Sequence, residues 1–107
     1  MPLRDEIAEL LRMPETGAGA PSLDAIESTL TDGYAEALAL EAERTRIERR
    51  VGEVVRDAGE VSAHSVTAEL AELSKRLDTA DGELARLRTL LRNLQARRRL
   101  ARRSERS

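Results

Sequence analysis

Residues 70–94, LAELSKRLDTADGELARLRTLLRNL, decide how this chain folds. Apolar residues recur there at alternating steps of three and four: Leu70, Leu73, Leu77, Ala80, Leu84, Leu87, Leu91 and Leu94. That is the a/d heptad repeat of a helix whose apolar seam must meet another helix. An earlier stretch carries the same spacing more weakly, at Leu23, Ile26, Leu30, Gly33, Ala37, Leu40, Arg44, Ile47, Val51, Val54 and Ala58. Gly33 and Arg44 occupy core positions of this earlier repeat. Asp32-Gly33 leaves its phase unchanged, so one continuous helix is expected across it.

The two repeats are out of phase. Continuing the first places its next a position at residue 65, whereas the leucine ladder read backwards places one at 63. A slip of two residues is not one of the three- or four-residue insertions that a coiled coil absorbs. The chain must therefore turn, at about 59–65, with Gly59 as a stop and Ser62 or Ser65 as the next N-cap. A short turn joins antiparallel neighbours.

Charge gives the same orientation. Residues 22–43 carry a net −6 and residues 84–107 a net +8, while residues 44–58 carry +2 and residues 62–83 carry −3. An antiparallel hairpin sets each block beside its opposite, where each exposed pair contributes about 0.2–1 kcal/mol. In the register expected, the numbers of facing residues sum to about 124. Gly33 then meets Leu91, Ala37 meets Leu87 and Arg44 meets Ala80, small against large at each irregular layer.

Composition limits the rest. The chain has 107 residues, no Cys, Trp or Phe, one Tyr, and 36% charged residues. A core without large aromatics must be a thin aliphatic one, and the lack of Cys removes disulfides and thiolate metal sites. No apolar run approaches the roughly 20 residues that span a bilayer. The start is acidic within six residues, without the basic and apolar regions of a signal peptide, so a cytoplasmic location is expected.

Residues 1–13 read as a short amphipathic helix: Pro2 suits a first turn and Leu3, Ile7, Leu10 and Leu11 make one stripe. Ten or so residues do not hold a helix alone in water, so this one needs a surface. Residues 14–21 (PETGAGAP) read as a flexible linker, residues 22–103 as the hairpin, and 104–107 as a disordered tail. The fold class expected is all-α: an antiparallel coiled-coil hairpin with a short N-terminal helix. Leu at both a and d favours higher-order bundles, so a homodimer forming a four-helix bundle is also expected. Tyr34, Leu38, Val55 and Leu90 lie beside the seam, where such a dimer or the docked N-terminal helix would cover them.

Residues for catalysis are scarce. One His and no Cys leave no nucleophile–base pair. The acids Glu69 with Glu72, and Asp78 with Asp81, lie off the apolar seam and lack a Glu-x-x-His partner. No catalytic residue, metal site or cofactor is assigned. Arg44 at an a position reads either as a device that sets register or oligomeric state or, the favoured reading, as a seam residue whose charge snorkels to Glu83 or Glu41. The function expected is a non-enzymatic protein–protein interaction module that binds a helical segment of a partner. Its contact residues are Leu3, Ile7, Leu10, Leu11, Tyr34, Leu38 and Leu90. The alternative is a nucleic-acid-associated protein that uses Arg97, Arg98, Arg99, Arg102 and Arg103 against phosphates, although no aromatics accompany them for stacking. In architecture the pattern is similar to small bacterial helical-hairpin adaptors, including hairpin-type anti-sigma factors.

Overall fold

The computed structural model describes residues 2–106. It is all-helical, with α1 over Pro2–Arg12, α2 over Leu23–Arg56, a single 3-10 turn over Ala58–Glu60 and α3 over Ala63–Arg106. Helix accounts for 88% of the fold, with no strand among the described residues. The two long helices pack against each other as a hairpin. Two compact units make up the chain: Met1–Ala37 with Arg86–Ser107, and Leu38–Ala85.

The boundaries have local causes. Ser22 Oγ accepts the amide of Ala25 at 3.1 Å and so caps α2, giving one orphan N–H a partner. α2 continues unbroken through Gly33 for 34 residues. Ser62 Oγ accepts the amide of Ser65 at 3.2 Å at the start of α3, the cap expected there. The turn itself is tighter than residues 59–65, because α3 begins at Ala63 and takes His64 into its first turn. α3 also reaches Arg106, through most of the stretch expected to be a disordered tail. Ser104 Oγ donates to Leu100 O at 3.2 Å within it, and Leu100, Ala101, Arg102 and Arg103 are all good helix formers. The expected helix residue Met1 and tail residue Ser107 lie outside the described residues.

In the unit of residues 38–85, Ile47, Val54 and Leu73 form a buried cluster with Val51, Val66, Leu70 and Leu77 packed against it, and Ala80 and Leu84 are buried as well. Ion pairs flank this seam. Arg50 donates through Nε (2.8 Å) and Nη2 (2.6 Å) to Glu69 Oε1, and Arg76 Nη2 lies 3.0 Å from Glu43 Oε1. The numbers of both pairs sum to 119. They are g-to-g pairs, which face each other across an antiparallel pair of helices. The Glu43 carboxyl is held below its ordinary range, first by its hydrogen bond to Arg46 and then by Arg76.

Arg44 corrects the expectation for its charge. Its Nε lies 2.6 Å from Asp81 Oδ1 and 3.4 Å from Glu48 Oε1, where Glu83 or Glu41 was the expected partner. Glu48 and Asp81 hold facing e positions in the register of 124, and their like charges would otherwise oppose each other. A cation leaving the seam beside them settles between them.

A candidate helix-docking site

The second unit, residues 2–37 with 86–106, contains a helix held by a groove. α1 has 11 residues and one fully buried side chain, Ile7, at 0% exposure. A helix of this length is marginal in water, so its order comes from what it lies on. Ile26, Leu30, Leu87, Leu91 and Leu94 are buried in the same unit. Full burial of a side chain the size of Ile7 contributes about 1.5–3 kcal/mol.

Gly33 makes room for it. A Cβ on Gly33 would overlap Leu91 Cδ2 and would lie 3.8 Å from Ile7 Cδ1. The missing side chain therefore lets a leucine from α3 and an isoleucine from α1 close over the α2 backbone at one point. The Gly33–Leu91 contact is the layer expected from the sequence, with its numbers summing to 124. Flanking pairs agree with it. Gln95 Nε2 donates to Tyr34 Oη at 2.6 Å, and Arg102 Nη2 lies 3.2 Å from Glu27 Oε1. Both sum to 129 and are e-to-e pairs, the complement of the g-to-g pairs in the other unit.

The end of α1 is held by a guanidinium. Arg97 Nη2 donates to Leu11 O at 2.6 Å, and Nη1 donates to Met13 O at 2.8 Å and Pro14 O at 3.3 Å. Carbonyls at a helix C-terminus lack partners in their own helix and carry the negative end of its dipole. The planar fork of arginine satisfies several of them at once, as a lysine ammonium does not. Arg97 thus works as a C-cap supplied by another helix. Past it, residues 13–22 turn back towards α2 through a turn closed by Ala20 N to Gly17 O at 3.1 Å, with Gly17 at φ +88°.

The residues expected to bind a partner fall into three situations. Ile7 is inside the unit. Leu3, Leu10 and Leu11 on α1 and Leu90 on α3 are half-buried. Tyr34 is 39% exposed and Leu38, in the other unit, is 66% exposed. Among the arginines expected to meet phosphate, Arg97 is engaged with main-chain carbonyls and Arg102 with Glu27. Arg98 continues the seam beyond Leu94, and its Nε is buried without a hydrogen-bond partner. Arg99 and Arg103 are exposed.

The sequence reading missed the clamp. By composition Arg97 belongs with its neighbours to one basic cluster, although its position beside the seam separates it from Arg98 and Arg99. The available signal is that Arg97, alone among the arginines at 97–99, holds a g position at the flank of the seam. Among the described residues no three His, Cys, Asp or Glu side chains gather to hold a metal ion, and no helix is long and apolar enough to cross a membrane. What the site can do chemically is hold apolar side chains and accept a helix end. No protein-family model matches this chain, and neither a curated protein nor a solved structure matches it.

Proposed function

We propose that this chain is a non-enzymatic coiled-coil interaction module, a small cytoplasmic adaptor or regulator that binds a helical segment of a partner protein. One observation carries the reading: a helix too short to persist alone is held by Gly33, Leu91 and Arg97. The hairpin already does to its own α1 what the proposal asks it to do to a partner. Around that helix, Tyr34 and the still partly accessible Leu3, Leu10, Leu11 and Leu90 offer apolar contact, and Leu38 does so in the other unit. Self-association is part of the proposal, with Leu38 and Val55, both exposed, as the apolar surface that a second copy covers.

Nucleic-acid binding is the weaker reading, since Arg97 and Arg102 are already engaged within the chain. A gel-shift series over salt, with and without residues 96–107, separates it from the first.

The test is affinity capture from the native host with wild-type chain, Tyr34→Asp and Leu38→Asp as baits. Leu38 is 66% exposed, so the fold tolerates its change, and circular dichroism checks that the Tyr34→Asp chain, which loses the hydrogen bond to Gln95, keeps its helices. The proposal expects a specific protein on the wild type that one of the variants loses. An identical set on all three baits refutes it.

A further inference from the structure

We infer that the groove now filled by α1 is the docking site for a short amphipathic helix of a partner, and that α1 is its resident competitor. This rests on the reading of the chain as a helix-binding module, and it names the place and the kind of helix. The occupant's chemistry is read from α1 itself. It is about three turns long, with an isoleucine at the centre and leucines four residues before and three and four after, at Leu3, Leu10 and Leu11. Its remaining charges are Asp5, Glu6 and Glu9 against Arg4 and Arg12, a mildly acidic helix beside the Arg-rich end of α3. Its C-terminal end must be open, because Arg97 binds the carbonyl of Leu11 in the helix and those of Met13 and Pro14 just beyond it.

Two features make α1 replaceable. Only Ile7 is fully buried, while Leu3, Leu10 and Leu11 keep part of their surface open to solvent, so the slot at Ile7 and the clamp at Arg97 are the most specific contacts of the helix. The connection over residues 13–22 is irregular, and its turn is closed by one backbone hydrogen bond, Ala20 N to Gly17 O. A tethered segment competes at an effective concentration in the millimolar range for a short flexible linker. A partner helix with better anchors, or one at high local concentration, displaces it. An open chain binds the same helix more tightly, since apparent affinity falls with the fraction of molecules whose site is free.

The experiment titrates a fluorescent, C-terminally amidated peptide of residues 2–14 into three full-length chains followed by anisotropy: wild type, Ile7→Asp, and Ile7→Asp with Gly33→Leu. Circular dichroism establishes that the hairpin persists. Ile7→Asp ejects the resident helix, so saturable binding at least tenfold tighter than to wild type is expected. Gly33→Leu fills the slot and should cost at least tenfold. A peptide with the same apolar positions but other polar residues should bind, and a scrambled one should not.

Should Ile7→Asp disturb the hairpin, a protease site inserted between Gly17 and Ala18 serves instead. The wild-type α1 is cut free, and the labelled peptide should then exchange into its place. Absence of saturable binding to both opened chains overturns the inference, as does binding that Gly33→Leu leaves unchanged. A wild-type chain that sediments as a dimer and becomes monomeric on adding peptide assigns the groove to a second copy and also overturns it. If the peptide fails while Tyr34→Asp or Leu38→Asp still loses a captured partner, the inference falls and the broader proposal stands. If the peptide exchanges but no partner depends on those residues, the broader contact surface falls and the groove stands.

Discussion

Replacing Gly33 by alanine pits two opposing effects against each other at a single methyl group. Gly33 lies inside α2, where a Gly-to-Ala change ordinarily stabilises by about 0.5–1 kcal/mol through lower chain entropy and better helix propensity. At this position the new Cβ overlaps Leu91 Cδ2 and comes within 3.5 Å of Leu91 Cγ. Leu91 is only 5% exposed, so its side chain has little room to rotate, and such overpacking costs about 1–3 kcal/mol. The clash wins, and Gly33→Ala should lose roughly 0.5–2 kcal/mol. Gly52 is the control, because it lies on the same helix and its Cβ would meet only Arg56 Nη1, at 3.4 Å. Gly52→Ala should gain about 0.5–1 kcal/mol. Urea titrations read by circular dichroism compare the two. The double variant Gly33→Ala with Leu91→Ala should lose at least about 1 kcal/mol less than the sum of the single losses, as contacting residues do. A Gly33→Ala chain as stable as Gly52→Ala would refute the close approach at this layer.

Further expectations concern the clamp, the caps and the flanking charges. Arg97→Ala leaves three carbonyls without their donor, and should raise amide exchange across residues 6–12 by at least tenfold, with Arg97→Lys restoring little of it. Ser22→Ala and Ser62→Ala should each cost about 1 kcal/mol, read from the same urea curves. Because Glu43 is held below its ordinary range in the folded chain by Arg46 and Arg76, the stabilisation it gives is complete at neutral pH and is lost as pH falls below the ordinary glutamate range and through the lowered folded value. The stability gap between wild type and Glu43→Gln should therefore close between pH 7 and pH 3 in thermal melts. The Arg50 guanidinium, raised further by Glu69 and then Glu53, remains charged throughout, so Arg50→Gln should show no such closing gap above pH 5.

The hairpin was legible because its information is periodic. The phase slip between Ala58 and Leu70 requires a turn, the charge blocks set the direction, and Gly33 opposite Leu91 sets the register. Each rests on spacing along one chain, which a sequence displays directly. The clamp was not legible, because Arg97 meets Leu11, Met13 and Pro14 across more than 80 residues, through main-chain carbonyls that carry no side-chain signature. Arg44 shows the same limit on a smaller scale. Its place in the seam could be read, but the choice of Asp81 and Glu48 over Glu83 and Glu41 depends on where a long side chain leaves the seam. The stripe of Leu3, Ile7, Leu10 and Leu11 showed that α1 needs a surface. That the surface is the flank of Gly33 required the three helices to be seen together.

The claim that the groove holds a replaceable helix is tested most directly by native-state hydrogen exchange across a low-urea series. Amides of residues 6–12, which the α1 helix itself hydrogen-bonds, should exchange through a local opening of small free energy and shallow urea dependence, while those of Leu87, Leu91 and Leu94 exchange only on unfolding of the hairpin. Protection of α1 that matches those three residues in both free energy and urea dependence would contradict the account, since it would make α1 an inseparable part of the core.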